Sequence, residues 1–226
     1  MKIDRRKKYY MVIDTETCPI TQQDEVDPDN MLAYDIGWVI CDKKGKIYEK
    51  RSFLNGEIFL AETERMKSAY YASKIPMYRE KIYNEEIKVK SYGQIRYACR
   101  KDIDKYKVEK VFAHNMRFDY WTLRKTQDWL KENFFFPYGI EICDTLKMSR
   151  SIMKQRPSYK RFCQKYGYMT KNNQPRFTAE ILTRYITDNQ DFVESHTALE
   201  DAIIESQILA FCFKQHKAMK YRLWEK

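Results

Sequence analysis

The sequence has no long apolar segment, no closely spaced cysteine pair and no internal repeat, and each absence excludes a class of protein. Across its 226 residues no apolar run approaches the length of a membrane span, and the basic residues 1–8 lack the apolar core of a signal peptide. We therefore expect a cytoplasmic protein with no membrane partner. The six cysteines are at least 20 residues apart, which argues against a zinc knuckle or redox pair and predicts buried free thiols. With no linker or low-complexity tract, residues 1–226 are expected to form one domain.

The charge of the chain points to a polyanionic partner. It has 42 Lys and Arg against 32 Asp and Glu, a formal net charge of +10, and nucleic acid is the commonest partner of such proteins. Tyrosines between Tyr70 and Tyr106 alternate with Lys and Arg, a pattern that can stack bases and contact phosphates. Core packing explains these tyrosines equally well. Composition alone therefore favours nucleic acid without establishing it.

The N-terminal part predicts an antiparallel meander. Tyr10–Ile13 is an apolar, β-branched run typical of a buried strand, and the polar residues 21–30 form the predicted loop after it. Two further strands are predicted at 34–41 and 46–54, joined by a turn that ends on Gly45, where a positive φ is favourable. Three consecutive antiparallel strands follow from this pattern.

The next segment, 56–90, gives weak signals. Residues 63–71 are compatible with a helix, and Pro76 ends whatever precedes it. Ser91 and Gln94 then have the spacing of a capping box, which predicts a helix over 92–106.

The remaining pattern predicts parallel strands beside the meander. A strand at 108–113, a helix at 118–134 and a strand at 140–143 have the order of a parallel crossover. Helices are expected to fill 145–185, with a loop at 167–175. The fold class is thus α/β, with a mixed five-stranded sheet flanked by helices.

The start of the last helix decides whether two polar residues can share a site. Thr197 and Glu200 have capping-box spacing, so Thr197 is the predicted N-cap, with Asp201 in the first turns of the helix. Residues five apart on a continuous helix diverge by roughly 140°, so His196 and Asp201 could not meet on one helix. With His196 on the preceding loop, the two side chains can converge.

Four acids stand at the ends of elements near the first strand: Asp14, Glu16, Asp119 and Asp201. Asp14 and Glu16 project to the same side of that strand, roughly 7 Å apart, and they either end the strand or hold a cation. Hard divalent cations prefer carboxylate oxygens, and two ions about 4 Å apart can assist phosphodiester hydrolysis. His196 has the pKa range of a general base. Asp35 and Asp144 also lie near the sheet and are weaker candidates for a metal ligand.

Three separated sequence motifs, which contain these acids and His196, resemble the motifs of a known enzyme family. Val12-Ile13-Asp14-Thr15-Glu16-Thr17, Ala113-His114-Asn115-Met116-Arg117-Phe118-Asp119 and His196-Thr197-Ala198-Leu199-Glu200-Asp201-Ala202 resemble the exonuclease motifs of the DEDDh family of 3′–5′ exonucleases. The motifs occur in the family's order, from the first strand to the last helix. The His-x4-Asp spacing distinguishes this branch from a sister branch that uses Tyr, and position 197 here is Thr.

The resemblance implies a fold and a set of roles. It implies an RNase H-like fold and two Mg²⁺ or Mn²⁺ ions held by Asp14, Glu16, Asp119 and Asp201, with His196 as the general base. It also implies that Thr15, through its backbone, lies near the terminal 3′-OH, and that Asn115 and Phe118 contact the last nucleotides. His114 is expected to support the second motif structurally. Cys18-Pro19-Ile20 departs from the Thr-Gly-Leu often found after the first motif, so the residue that wedges the terminal base is not identified.

The expected activity is hydrolysis of DNA from single-stranded 3′ ends, in a catalytic core over about 8–216. Segments 56–90 and 168–195 look longer than in minimal family members. Two alternatives remain open: a 3′–5′ exoribonuclease using the same site, and an inactive subunit that binds nucleic acid or a polymerase. A replication or repair protein is a possible partner under this interpretation, and the oligomeric state is not predicted.

Overall fold

The computed structural model describes residues 3–21 and 30–224. Most of the predicted loop at 21–30 therefore lies outside the described residues.

The centre of the described chain is a mixed sheet of six strands in the order β4-β3-β2-β1-β5-β6. The strands are β1 (Tyr9–Pro19), β2 (Met31–Asp42), β3 (Ile47–Asn55), β4 (Lys88–Lys90), β5 (Lys110–Ala113) and β6 (Glu141–Asp144). Strands β1 to β3 form the predicted antiparallel meander, and β5 and β6 run parallel to β1. The mixed sheet is confirmed, but five strands was one too few. Strand β4 was missed because it is only three residues long, with exposed lysines at both ends, and pairs at the sheet edge.

Strand β1 is longer than the sequence predicts. Its pairing with β2 continues to Pro19 across an irregularity at Glu16/Thr17, so the prediction that Asp14 and Glu16 end the strand is wrong. The reason is the length of β2, whose first residues supply partners for the end of β1. Strand β5, however, pairs with β1 only as far as Val12. The two acids therefore lie where β1 has lost one neighbour, at the rim of the sheet.

Nine helices flank the sheet in the described ranges. They are α1 (Gly56–Phe59), α2 (Thr63–Lys67), α3 (Ile75–Tyr83), α4 (Tyr92–Tyr106), α5 (Met116–Trp129), α6 (Thr145–Met153), α7 (Pro157–Lys165), α8 (Ala179–Thr187) and α9 (Ala198–Lys214). The predicted helix over 92–106 is confirmed with both hydrogen bonds of its capping box. Helix α5 begins two residues earlier than predicted and ends sooner, because Lys131 takes a left-handed φ of 55°. Helix α2 is shorter than the predicted 63–71, and Pro76 stands in the first turn of α3. None of the helices in the described residues is both long and apolar enough to cross a membrane.

The helices divide between the two faces of the sheet. Helices α4 and α5 pack with Met11 and Ile13, whereas α6, α8 and α9 pack with Val12 and Val39. Segment 56–90 forms a third core around Tyr34, beside the meander. All six cysteines are free and buried, as predicted. The alternation of β1 therefore sends Asp14 and Glu16 toward the α9 face.

Candidate active site

Three carboxylates form a close group at the rim of the sheet. One oxygen from each of Asp14, Glu16 and Asp201 lies within 4.8 Å of the others. Asp14 and Glu16 come from β1, and Asp201 comes from the first turn of α9, which crosses the same face. The structure thus brings together three of the four acids predicted to bind metal.

Asp119 reaches the site from the opposite face of the sheet. It lies in the first turn of α5, is almost fully buried, and its Oδ1 accepts a hydrogen bond from the Thr15 hydroxyl at 2.9 Å. It does not join the close group. Burial is the main cause that raises the pKa of Asp14, and among the charged neighbours of Asp14 the carboxylate of Asp119 contributes most to this rise. The Thr15 side chain therefore positions Asp119.

His196 stands on the loop immediately before α9, with a left-handed φ of 50°. Its Nδ1 lies 3.9 Å from Asp201 Oδ2 and 4.0 Å from Glu194 Oε2. This is the convergence that the sequence predicts for a histidine outside the helix. Burial and the neighbouring Lys74 lower the pKa of His196, which favours the neutral imidazole.

Segment 56–90 contacts this loop directly. The Tyr71 ring stacks on the His196 ring, with centroids 4.4 Å apart and planes 16° from parallel. Lys74 donates to the carbonyl oxygens of Ser195 and His196, and its ammonium lies 4.8 Å from the centre of the Tyr71 ring. Segment 56–90 therefore fixes the orientation of His196, the candidate base. Sequence reasoning missed both residues, because nothing local marks them.

The N-terminus of α9 is held against β2. Thr197 is the N-cap, as predicted, but it makes no side-chain cap hydrogen bond, and its hydroxyl donates to Glu200 at 3.2 Å. The backbone N–H of Ala198 instead donates to the buried Asp35 at 3.1 Å, so the predicted capping box is wrong. A buried carboxylate is the stronger acceptor for a helix N-terminus. Gly37 permits the approach, since a Cβ there would lie 2.3 Å from the Leu199 nitrogen.

Asp35 also accepts a hydrogen bond from the Tyr78 hydroxyl at 2.7 Å. It stands opposite Glu16 in the β1–β2 register. Asp144 caps α6 by accepting from the backbone N–H groups of Leu146 and Lys147. Its second task is to accept from the Asn115 N–H at 3.2 Å. These contacts give Asp35 and Asp144 structural tasks in the described chain.

Another buried acid, Glu205, lies beside the site. Glu205 is one helical turn after Asp201 on α9, and it accepts the backbone N–H of His114 at 2.9 Å. The His114 ring contacts the Thr145 hydroxyl at 3.0 Å and the Phe177 carbonyl oxygen at 2.7 Å. Glu205 and His114 thus connect α9 to the second motif. The i, i+4 spacing from Asp201 was the signal that could have identified Glu205.

The acid group opens into a cleft of about 550 Å³. Asp14, Asp201, Glu205 and Asn115 line one side, and the opposite wall comes from residues 170–179 and Glu194. Segment 168–195 therefore forms one wall of the site. Of the predicted substrate contacts, Asn115 lines the cleft at a left-handed φ of 70°, Thr15 is buried behind it, and half-buried Phe118 is not among its lining residues.

The acids are electrostatically frustrated without a cation. Burial, followed by the charges of Asp35 and Asp201, raises the pKa of Glu16 to about 9. Burial raises the pKa of Asp119 and of Asp201 to about 7 each, and it raises that of Asp14 strongly. Lys74 opposes the shift at Glu16 and Asp201. These four carboxyl groups therefore favour the protonated, neutral form unless a cation binds beside them.

The residues present fit a divalent cation. The donors are all carboxylate oxygens, which Mg²⁺ and Mn²⁺ prefer. Asp201 Oδ1 is buried and makes no hydrogen bond to the described residues, so it is left open to a ligand. A cation between Asp14, Glu16 and Asp201 would offset the burial of charge, and the repulsion from neighbouring acids, that raise their pKa values.

The strand order and the crossing of α9 over β1 define an RNase H-like fold. Comparison with solved structures supports this assignment. The chain is similar to the nuclease domain of 3′hExo, a DEDDh family member bound to rAMP, at a TM-score of 0.60 and 9% identity, covering 97% of this chain and 98% of that one. It also resembles E. coli Exonuclease I in complex with a dA16 oligonucleotide, at a TM-score of 0.54 and 13% identity, covering 92% of this chain and 43% of that one.

A full-length 3′-exonuclease gives a TM-score of 0.58 at 9% identity, with 95% of this chain and 85% of that chain covered. No protein-family model and no curated protein matches the chain by sequence. The likeness therefore concerns the fold, and the expectation of an RNase H-like fold is confirmed.

Proposed function

We propose that this chain is a divalent-metal-dependent 3′–5′ exonuclease that releases nucleoside monophosphates from single-stranded DNA. The observation that carries the proposal is the meeting of Asp14, Glu16 and Asp201 within 4.8 Å, with His196 Nδ1 3.9 Å from Asp201. Asp14 and Glu16 lie at least 180 positions before His196 and Asp201 in the sequence, yet the fold brings all four to one rim of the sheet. The net charge of +10 suits a polyanionic substrate.

Asp14, Glu16 and Asp201 would hold the cations, with Asp119 completing the set from the opposite face. When bound, such ions supply positive charge to a phosphodiester as its P–O bond breaks. Thr15 keeps Asp119 oriented through its hydroxyl, at 2.9 Å. The metal would be Mg²⁺, with Mn²⁺ able to replace it.

His196 would take the proton of the attacking water. Its Nδ1 lies 3.9 Å from Asp201 Oδ2, which places the imidazole within reach of a water at the carboxylates, and a neutral imidazole has a ring nitrogen free to accept a proton. The water oxygen then bonds to phosphorus, the bond to the 3′ oxygen of the preceding nucleotide breaks, that oxygen takes up a proton from solvent, and a nucleoside 5′-monophosphate leaves. The stacked Tyr71 ring and the Lys74 contacts keep the imidazole in place during this step.

The test is digestion of 5′-labelled single-stranded DNA with Mg²⁺. The wild-type chain should give a ladder of products shortened from the 3′ end. Asp14→Asn should abolish the ladder, and His196→Ala should lower the rate by at least about 10²-fold. Asp104→Asn, a change at an exposed acid on α4, is the matched control and should keep full activity. Equal digestion by Asp14→Asn would refute the proposal.

The sugar is tested by competing labelled DNA and RNA of one sequence in a single reaction. Preferential loss of DNA supports the proposal, whereas preferential loss of RNA identifies an exoribonuclease with the same site. DNA binding without hydrolysis under any divalent metal would instead identify an inactive binding subunit.

A further inference from the structure

A second, basic groove adjoins the acidic cleft. We define the basic groove by the residues that line it, which are Lys147, Arg150, Ser151, Lys154 and Lys220, around a volume of about 420 Å³. Arg150 lines both the groove and the acidic cleft. The two depressions are therefore continuous at Arg150.

The groove is built by α6 and the C-terminal segment. Residues 147, 150, 151 and 154 recur at helical spacing, so they lie on one side of α6 and its C-cap. The segment around 220 is fixed beside them: Lys220 N–H donates to Ser151 Oγ at 3.2 Å, and Lys147 Nζ donates to two carbonyl oxygens of the segment at 2.9 Å each. The basic groove is thus a defined surface and not a set of unrelated side chains.

Its charge is of one sign. Among the described residues that line it, every charged side chain is basic. Arg176 adds positive charge to the wall of the acidic cleft, which Arg150 also lines. A substrate with one end at the acids and a repeated negative charge beyond that end would match this distribution.

We propose that the basic groove binds the phosphates of the nucleic-acid strand on the 5′ side of its terminal nucleotide. The inference rests on the proposed function, which places the 3′ end at the acids. Lys147 to Lys154 spans about 10 Å along the helix axis, enough for two or three phosphates of a strand. Affinity should therefore rise with strand length up to roughly four nucleotides and level off beyond that.

The experiment measures binding separately from hydrolysis. Fluorescence anisotropy with 5′-labelled oligothymidylates of two to twelve nucleotides, in EDTA, compares the wild-type chain with the triple variant Arg150→Gln/Lys154→Gln/Lys220→Gln. The matched control is Lys101→Gln/Lys107→Gln/Lys131→Gln, which removes the same charge from exposed positions on and after α4 and α5, on the other face of the sheet.

Each lost phosphate contact should lower the slope of log affinity against log salt by about 0.7, so the triple variant should lose about 2. Between 50 and 200 mM salt the wild-type chain should then lose on the order of 20-fold more affinity for the twelve-nucleotide strand than the variant does. The variant should also lose the gain in affinity with strand length, while the control keeps both properties.

A wild-type slope and length dependence in the groove variant would overturn the proposal, and so would an equal loss in the control. Digestion with Mg²⁺, run on the same preparations, separates the two hypotheses. A wild-type chain that hydrolyses no strand refutes the proposed function, whereas hydrolysis with an unchanged slope in the variant refutes the groove alone. If the triple variant fails to fold, Lys154→Gln and Lys220→Gln are measured singly, each with an expected slope loss of about 0.7.

Discussion

The buried acids should make the metal-free chain less stable as pH rises, and Asp201→Asn should remove part of this loss. The folded-state pKa of Asp201 is about 7, against 3.8 for the free side chain. Between these values the folded state keeps a proton that the unfolded state has released. The free energy of unfolding therefore falls as pH rises from about 4 to 7, and the loss is complete above that range.

The size of the effect follows from the shift. About three pKa units at 1.4 kcal/mol each correspond to on the order of 4 kcal/mol from this one carboxylate, which is 8% exposed. For a chain of this length 1 kcal/mol moves the melting temperature by about 2–4 °C, so a shift on the order of 10 °C is expected. Asp201→Asn should melt higher than the wild-type chain at pH 8 in EDTA and close to it at pH 4.

The pH dependence of stability is measured by thermal unfolding across pH 4 to 9, with EDTA or with Mg²⁺. Mg²⁺ should stabilise the wild-type chain by an increment that grows with pH, because deprotonated carboxylates are the metal ligands. It should stabilise Asp201→Asn much less, while the exposed-acid control Asp104→Asn should behave as the wild-type chain does. An Asp201→Asn variant that melts lower than the wild-type chain at pH 8 in EDTA would refute the reasoning.

Three further changes test how the site is held. Gly37→Ala should push the α9 N-terminus away, because its Cβ would lie 2.3 Å from Leu199 N. The free energy of unfolding in urea should fall by about 1–3 kcal/mol and kcat should fall with it. An unchanged kcat would contradict this contact. Tyr71→Ala should lower kcat by up to about 10²-fold with little change in KM. Tyr71→Phe keeps the stacked ring and should have the kcat of the wild-type chain. A low kcat in Tyr71→Phe would exclude a stacking role. Tyr78→Phe should cost about 1–3 kcal/mol of unfolding free energy in urea by removing a hydrogen bond to the buried Asp35, and a neutral result would mean that this bond contributes nothing.

Features encoded over short stretches could be predicted from the sequence. The capping box at Ser91 predicted α4 because both of its hydrogen bonds connect residues three apart. The position of His196 before α9 followed from the predicted N-cap at Thr197, which is confirmed although its capping box is not, and the structure shows the predicted convergence with Asp201. The acids were identified by residue type and order, although their place within β1 was not.

Features that depend on distant partners could not be predicted. Asp35, and not Thr197, accepts the hydrogen bond at the α9 N-terminus. The two residues are 162 positions apart, so no local sequence pattern predicts this partner. The contacts of Tyr71 and Lys74 with the His196 loop depend on how segment 56–90 packs against the meander. Strand β4 exists because the edge of β3 is available to it, and its own three residues carry no strand signal.

The site draws on both ends of the chain, since β1 supplies its first acids and α9 its last. During synthesis β1 leaves the ribosome first, and at typical rates Asp201 follows it on the order of 10–40 s later. Until α9 has been made, a nascent chain carries Asp14 and Glu16 without Asp201 or His196. The candidate site is therefore assembled only after α9 has been made and has packed across β1.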